Sequence, residues 1–482
     1  MWPAANVQDT RIAICGEVLG ENTPFSQAAV PLSVVKWKGF VAVFNGDGQH
    51  LWSHIFFHST PGECAITDVS IRVEGVGENA VDVVTYCGVS SYGTSGGVGS
   101  LGYMDPIHPF TPPAHCGTAA GGDTNNGHGQ WDGIVGRLQN SHSNPRNGLG
   151  VSNAVHMFHS VVGGGGQDGL FGIHEIDADR FVVVGSTGLP NAPSSAFTFP
   201  LPNDCPPLSC PSQSGLDYAL GTIQVFNAGC LLGNGLILES GGSIGSDPCV
   251  ELGRHTVLRD VVAVVDPTNP MLAHLRCVGS SNDPDLGYHG ALAGSVDGIV
   301  YSGICVLSAP CISGSSNGIG TLAQLSGVYR GGADFDYLTG VQSWSEFPDH
   351  FVVAGVTGSG SSADIDWASY YYNLSHSGLP NQAVLLCEAQ VGGSDIDAAA
   401  VVGVASLTTS GQISFHDYGV GPPDGGGVSV DSSGRTNCVG ATVSLDFPND
   451  PPPPISRDKD SLRDAVRVVA DLVQVGVGRT DG

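Results

Sequence analysis

Three pairs of acidic residues, each separated by one position, are the first candidates for chemistry. They are Asp334/Asp336, Asp364/Asp366 and Asp395/Asp397. Alternate residues of a β-strand share a face, so each pair is expected to present two carboxylates together. Such oxygens suit Ca²⁺, with Asp334, Asp336, Asp395 and Asp397 as the candidate ligands, and paired carboxylates also suit acid–base work on a glycosidic bond. We favour a third interpretation, in which these aspartates form turns at recurring corners of the fold.

Aromatic residues supply a candidate ligand-binding surface. Trp367 lies near Tyr370, Tyr371 and Tyr372 in the sequence, and such rings present broad, rigid faces to ligands such as sugars. Trp52 ends a predicted hairpin, and we expect it in the core instead.

Two G-x-S-x-G sequences, centred on Ser95 and Ser243, match the nucleophile elbow of serine hydrolases. With 71 glycines in the chain, about one such match is expected by chance. Neither lies between a predicted strand and a predicted helix. We therefore predict no catalytic residue.

Histidines crowd the first third of the chain, and two pairs, His156/His159 and His54/His58, have spacings that would suit a transition metal. Residues three apart on a strand point to opposite faces, so His156 and His159 are not expected to meet. We predict that these histidines lie in loops without partners.

The composition defines which elements must position these residues. Among 482 residues there are 71 Gly and 30 Pro, and 41% are hydrophobic. Gly and Pro interrupt helices, which excludes a helical bundle, while the apolar fraction is ample for a core. Short strands joined by many turns fit best. The net charge of −28 repels phosphate backbones and argues against nucleic acid as a partner.

Thirteen cysteines, in no zinc-ligand spacing, favour disulfides in an oxidising compartment. Cys205/Cys210, Cys305/Cys311 and Cys230/Cys249 are the candidate pairs. No apolar run is long enough to span a membrane. Residues 1–6 do not form a signal peptide, and we expect any export signal upstream of Met1.

A weak repeat runs along the chain. Seven apolar-alternating segments run into Gly or a polar turn; they begin at Arg11, Val81, Arg180, Asp260, His350, Gln412 and Gln474. Gly39 to Trp52 predicts a hairpin around Asn45-Gly46-Asp47-Gly48, because Asn and Gly accept the positive φ of tight turns. Echoes of its first strand begin at Asp132, Asp217 and Asp297. Residues 458–472 can be taken as a helix or a strand, and we favour a strand.

Residues 392–404 and 428–442, with Asp446-Phe-Pro448, resemble the bacterial SBBP-type β-propeller repeat, and residues 39–52 resemble its remaining segment. The resemblance implies four-stranded antiparallel blades that stack around a channel and cover one another. We expect one propeller over residues 1–482 with about seven blades, six being possible. Its first blade would be incomplete, and long insertions would lie near 93–131 and 189–216.

The expected function is a non-enzymatic, extracytoplasmic binding, adhesion or surface-scaffold module, either monomeric or part of a longer chain. Its ligand would be an extracellular protein or glycan, and calcium is the one cofactor considered. Propellers host both binders and enzymes. The alternative is therefore a propeller enzyme, either a glycan lyase or hydrolase or a quinoprotein-like dehydrogenase.

Overall fold

The computed structural model describes an all-β chain. It describes residues 10–19, 37–56, 63–91, 131–145, 152–162, 168–188, 219–228, 237–244, 256–283, 296–307, 320–330, 336–343, 350–357, 400–407, 413–421, 428–430, 435–442 and 464–471. Within these ranges the elements are β-strands and one short 3-10 turn, Gly77–Asn79. The predicted all-β class is confirmed, and the propeller remains a prediction.

Two compact units divide the chain. Unit 1 comprises residues 1–243, 247–253 and 306–321, and unit 2 comprises residues 244–246, 254–305 and 322–482. The first eleven strands are β1 Arg11–Leu19, β2 Trp37–Asn45, β3 His50–Ile55, β4 Glu63–Glu74, β5 Val81–Ser91, β6 Trp131–Ser141, β7 Val155–Val162, β8 Asp168–Glu175, β9 Arg180–Gly188, β10 Ala219–Asn227 and β11 Ile237–Ile244.

The remaining strands are β12 Thr256–Asp266, β13 Asn269–Ser281, β14 Asp297–Val306, β15 Gly320–Arg330, β16 Asp336–Ser343, β17 His350–Thr357, β18 Ala400–Leu407, β19 Ile413–Gly421, β20 Val428–Val430, β21 Arg435–Thr442 and β22 Asp464–Asp471. Apart from a few residues at the ends of β11, β14 and β15, β1–β11 fall in unit 1 and β12–β22 in unit 2.

Consecutive strands lie side by side as antiparallel meanders. In unit 1 the orders are β1-β2-β3, β4-β5-β6-β7 and β8-β9-β10-β11. In unit 2 they are β12-β13-β14-β15, β16-β17-β18-β19 and β20-β21-β22. Neighbouring strands in sequence can pair this way through short turns. The described part of the N-terminal sheet has three strands, one fewer than a complete four-strand run.

A β-bulge recurs in the first strand of every four-strand run. The pairing with the second strand skips Thr67 in β4, Phe171 in β8, Arg259 in β12 and Thr339 in β16. The residue after the bulge alternates along the chain: Asp68, Gly172, Asp260 and Gly340. A bulge leaves one residue unpaired and bends its strand, so its recurrence marks equivalent positions in successive runs.

A glycine on the second strand faces each bulge. Gly88, Gly185, Gly279 and Gly355 pair with the residue just before the skipped one. A Cβ at Gly88 would lie 2.1 Å from the carbonyl oxygen of Ala65, and one at Gly279 would lie 2.0 Å from that of Val257. Glycine is therefore required at Gly88 and Gly279 by the close approach of the facing backbone.

The predicted hairpin is confirmed in detail. The side chain of Asn45 accepts the backbone N–H groups of Asp47 (3.1 Å) and Gln49 (2.8 Å), and Gly48 has φ +78°. Trp52 is fully buried, as expected. It packs with Val41, Val43, Phe56, Ile66, Val84, Tyr86, Ile134 and Leu138 in the core of unit 1.

Most of the predicted strand segments form strands, but their equivalence is wrong in part. The segments at Val81, Arg180 and His350 are the second strands of their runs, β5, β9 and β17. The segment at Asp260 is instead in a first strand, β12, and that at Gln412 falls in the fourth strand, β19. Apolar alternation is common to all strands of a run, so it does not by itself show whether a segment forms the first, second or fourth strand. Residues 464–471 are a strand, as favoured, and 474–482 lie outside the described residues.

The described cysteines do not support the disulfide prediction. Cys15, Cys64, Cys87, Cys277 and Cys305 are thiols, and all but Cys15 are buried. Cys305, one member of the predicted Cys305–Cys311 pair, is a buried thiol in strand β14, and Cys311 lies outside the described residues. The pairs Cys205/Cys210 and Cys230/Cys249 lie outside the described residues.

Candidate functional site

Four residues of unit 1, His54, Tyr86, His156 and His159, form a connected hydrogen-bonded chain that we call the histidine network. His54 Nε2 lies 3.1 Å from His156 Nε2. The Tyr86 hydroxyl lies 3.4 Å from His156 Nδ1 and 2.5 Å from His159 Nδ1. Tyr86, His156 and His159 are buried. The network joins β3 of one sheet to β5 and β7 of the next.

A bulge on β7 brings the two histidines of that strand together. The pairing of β6 with β7 runs from Arg137↔Phe158 to Leu138↔His156 and skips Met157. The skipped residue changes the alternation, so His156 and His159 both face inward, with ring centroids 5.8 Å apart, while Met157 is exposed. The prediction that they lie on opposite faces and without partners is wrong, because a regular strand was assumed.

The interior of unit 1 keeps His54 uncharged at neutral pH. Burial lowers the pKa of His54 from 6.5 to about 4, since the charged imidazolium is poorly solvated there. The neighbouring Cys64 thiol has its pKa raised to about 11, chiefly by burial. Phe56 packs edge-on against His54, with ring centroids 4.8 Å apart. Neutral imidazoles and a phenol can pass hydrogen bonds along such a chain.

A second polar cluster surrounds Asp82 on β5. Its carboxylate accepts Trp52 Nε1–H (2.8 Å), Arg11 Nε–H (3.1 Å) and His142 Nε2–H (2.5 Å). His142 Nδ1 lies 3.3 Å from Arg11 Nη2. Both nitrogens of the His142 ring are therefore engaged within the cluster, which satisfies a nearly buried carboxylate and fixes Trp52 in the core.

A third cluster holds Glu175 between two arginines. Arg72 and Thr85 both donate to Glu175 Oε1, and Arg137 Nη2 lies 3.2 Å from the same oxygen. Arg137 also lies against the ring of Phe158, 5.6 Å from its centroid, and donates to the carbonyl of Ala178 (2.9 Å). Burial lowers the pKa of Arg137, an effect that the charge of Glu175 opposes. The cluster ties β4–β6 to β8 by charge-assisted hydrogen bonds.

Two aspartates that follow bulges, Asp68 and Asp260, join successive runs of strands, and we call them the bulge aspartates. Asp68 accepts the N–H of Val69 (2.8 Å) and, from β8, that of Ile173 (2.8 Å). Asp260 accepts the N–H of Val261 (2.7 Å) and, from β16, that of Val341 (2.7 Å). In each unit the residue that donates from the next run, Ile173 or Val341, follows the glycine at the bulge of that run.

The ligand and calcium candidates predicted from the sequence fall almost wholly outside the described residues. This holds for Trp367, Tyr370, Tyr371, Tyr372, Asp334, Asp395 and Asp397. Asp336 is the first residue of β16 and pairs with Thr357. Of the two candidate serines, Ser95 lies outside these ranges, and Ser243 lies within strand β11. Sequence reasoning missed the histidine network and the bulge aspartates. The bulge aspartates could have been found from a pattern that recurs at the bulges: a hydrophobic residue, any residue, Asp or Gly, and a second hydrophobic residue.

Longer chain segments occupy one corresponding connection in every four-strand run. Residues 92–130, 189–218, 282–296 and 358–399 each connect a second strand to a third. Each begins three or four residues after the glycine that faces the bulge. The connections from first to second strands are short, as at residues 176–179 and 267–268. The candidate aromatic residues belong to segment 358–399.

Within the described ranges, no group of three or more His, Cys, Asp or Glu is placed to hold a metal ion. The same part of the chain contains no helix long and apolar enough to cross a membrane. Comparison with known protein families finds no family model that matches the chain, and no curated protein matches it either.

Proposed function

We propose that the chain is a non-enzymatic β-propeller that displays segments of variable length for binding an extracellular protein or glycan. The observation that carries this proposal is the recurrence of long segments at the same connection of successive runs. In antiparallel meanders, corresponding connections leave their sheets at the same end. Binding residues are commonly placed on loops that a rigid scaffold positions.

The polar clusters of unit 1 support the scaffold half of the proposal. Asp82, Glu175 and Asp68 are each held by several hydrogen bonds within or between sheets. Buried carboxylates satisfied in this way stiffen a core. A stiff scaffold lowers the entropic cost of ordering a binding surface.

The segment 358–399 is the proposed ligand-binding segment, with Trp367, Tyr370, Tyr371 and Tyr372 as its aromatic contacts. Calcium binding at Asp334/Asp336 and Asp395/Asp397 belongs to the same proposal. A calcium ion held by these carboxylate oxygens would order the segment. The resemblance to the SBBP-type repeat, with its extracytoplasmic location, is the basis for choosing a ligand outside the cell.

A glycan microarray tests the proposal directly. The full chain is expected to bind one class of glycan, and a variant with Trp367, Tyr370, Tyr371 and Tyr372 all changed to Ala is expected to bind at least about tenfold more weakly. Val76→Ala is the matched control, because Val76 is 85% exposed at the short β4–β5 connection. Unchanged binding by the fourfold variant, or equal loss in Val76→Ala, would contradict the assignment.

A further inference from the structure

We propose that the outer edge of β1, opposite to the edge that pairs with β2, docks an extended segment of a partner protein. The docked segment adds to the N-terminal sheet as its first strand. This inference goes beyond the ligand binding assigned to segment 358–399, because it concerns a different surface. It rests on a comparison of β1 with the second strands of the four-strand runs.

Its connection and its glycine identify β1 as a second strand. Residues 20–36 connect β1 to β2, and this segment is longer than any connection from a first to a second strand. Gly16 follows Cys15 in β1 just as Gly88, which faces the bulge of its run, follows Cys87 in β5. Within the described residues the sheet has the order β1-β2-β3. Its strands therefore correspond to the second, third and fourth strands of a run, and β1 has the place beside a first strand.

In each four-strand run, the second-strand residue two positions before this glycine pairs with a hydrophobic residue of the first strand. That hydrophobic residue directly follows the bulge Asp or Gly. The four pairs are Tyr86/Val69, Val183/Ile173, Cys277/Val261 and Val353/Val341. The second-strand members are at most 1% exposed. Ile14 holds this position in β1 and is 39% exposed, and Ile12, on the same face, is 45% exposed. The side chains of β1 are therefore placed to pack against the aliphatic residues of a first strand.

Gly16 is the residue that a bulged strand requires opposite its bulge. A Cβ at Gly88, Gly185 or Gly279 would lie 2.1, 1.9 or 2.0 Å from a carbonyl oxygen of the paired first strand. The nearest described atoms to a Cβ at Gly16 belong to the ring of Phe40, at 3.1 Å. Glycine at this position of β1 thus allows the close approach of a facing carbonyl group.

The neighbouring run determines which residue the docked segment carries at its bulge. Asp68 accepts the N–H of Ile173, the residue after the bulge glycine of the next run. Asp260 accepts the N–H of Val341 in the same way. The N–H that would correspond to these for a strand beside β1 is that of Val69, which already donates to Asp68 (2.8 Å). A carboxylate at the bulge of the docked segment would lose its donor, so that segment is expected to carry glycine there.

The chain's own sequence points to another protein as the source of the docked segment. The required order of a hydrophobic residue, any residue, Gly and a β-branched residue occurs in β8 as Leu170-Phe171-Gly172-Ile173 and in β16 as Leu338-Thr339-Gly340-Val341. Both strands are paired within their own runs, so a second copy would have to open a run to donate one. Outside the described residues, no glycine followed by Val or Ile has a hydrophobic residue two positions before it.

A synthetic peptide tests the proposal on the full chain. The probe is a peptide with the sequence of Asp168–Glu175 and blocked ends, because it carries the required pattern. It is expected to bind and to slow amide exchange in β1 at least about fivefold, since strand addition forms main-chain hydrogen bonds. Absence of binding, or binding that leaves β1 exchange unchanged, would overturn the proposal.

Exchange and self-association without the peptide identify other occupants of this edge. Amides of β1 are expected to exchange faster than those of β5, which is paired on both sides. If β1 were already as protected as β5, a segment of the chain itself would occupy the edge. Self-association that is lost in Ile14→Asp would instead identify a second copy. Either result would contradict the assignment to a partner protein.

A pair of chain variants locates the docking site. Ile14→Asp is expected to weaken peptide binding at least about tenfold, because it places a charge where an aliphatic residue should pack. Met157→Asp adds the same charge at another exposed hydrophobic residue of unit 1, which is 42% exposed, and should bind like the unaltered chain. Equal binding by the two variants would rule out the edge of β1.

Changes in the peptide test the pattern without any effect on the folding of the chain. The Gly172→Asp peptide should bind at least about tenfold more weakly, since the N–H of Val69 is engaged by Asp68. The Phe171→Asp peptide adds the same charge at the residue that the pairing skips and should lose less than about threefold. Binding that is equal for the two peptides would show that β1 does not receive a bulged first strand.

Discussion

The bulges of β4 in unit 1 and β12 in unit 2 place the same carboxylate at the same point of two runs but surround it differently. Asp68 and Asp260 each accept one N–H from their own strand and one from the next run. In β4 the skipped residue is Thr67, whose hydroxyl also donates to the carbonyl of Leu170 (2.7 Å). In β12 it is Arg259, whose side chain is exposed.

This difference shows which of the hydrogen bonds between successive runs is common to the two bulges. The aspartate-to-amide bond is common to the two bulges, while the hydroxyl-to-carbonyl bond is made at Thr67, where β12 has an arginine. Burial raises the pKa of Asp68 to about 7 against the pull of the two N–H donors. The charge of Asp68 in turn adds to burial in raising the pKa of the Cys15 thiol to about 12. The bulge geometry is therefore common to β4 and β12, whereas the pKa shifts of Asp68 and Cys15 arise from the surroundings of the β4 bulge.

The largest loss of stability is expected from substitution of the glycines that face the bulges, a feature that both units share. Gly88→Ala and Gly279→Ala should each destabilise their own sheet by more than about 3 kcal/mol, because the added methyl group meets a carbonyl oxygen at 2.1 Å and 2.0 Å. Gly48→Ala is the control: it has open space but φ +78°, and should cost about 1 kcal/mol. Hydrogen exchange of the flanking strands measures all three. A cost below about 1 kcal/mol at Gly88 would show that the bulge is not rigid.

The pH dependence should distinguish the two bulge aspartates. The pKa of Asp68 is about 7 in the fold and 3.8 in the unfolded chain, so the fold holds this proton more tightly. Its stabilisation is complete below about pH 4 and is lost as pH rises through 7, a change of about 2–4 kcal/mol. The difference in opening free energy of β4 and β8 between the unaltered chain and Asp68→Asn should follow that course from pH 4 to pH 8.

Asp260→Asn is the matched control for this measurement and should leave the pH course of β4 and β8 unchanged. Taking the difference removes the contribution of His54, whose sign is opposite. A difference between the unaltered chain and Asp68→Asn that is flat from pH 4 to pH 8 would mean that Asp68 stays ionised in the fold.

The smallest effect concerns the hydrogen bond that Thr67 makes at the bulge of β4. Thr67→Val keeps the shape of the side chain and removes its donor, so it should cost about 1 kcal/mol in the opening of β4 from β8. Arg259→Thr alters the equivalent exposed residue and should change the stability of β12 by less than about 0.5 kcal/mol. Equal effects at the two positions would remove the distinction between the two bulges.

Much of the local structure was predictable because it depends on local chemistry. Asn45-Gly46-Asp47-Gly48 forms the expected turn, since Asn side chains accept neighbouring N–H groups and Gly accepts positive φ. Trp52 is buried as predicted, and Val81, Arg180 and His350 begin strand segments as expected. The place of the Asp260 segment within its run was not predictable, because alternation alone does not distinguish a first strand from a second.

The polar sites were not predictable in the same way. Asp82, Arg11 and His142 are more than 50 residues apart in sequence and meet only because their strands pack together. His156 and His159 share a face only because Met157 is skipped in the pairing of β6 with β7. Nothing in the alternation of residues 155–162 marks that irregularity.

The sequence by itself determined that the chain is built from strands, where its tight hairpin turns, and that glycines recur at the ends of apolar segments. Tertiary structure alone decided why those glycines are needed and which ionisable groups meet. The physical reason is range: turn and strand preferences act over a few residues, whereas bulges, buried carboxylates and paired imidazoles depend on which strands become neighbours.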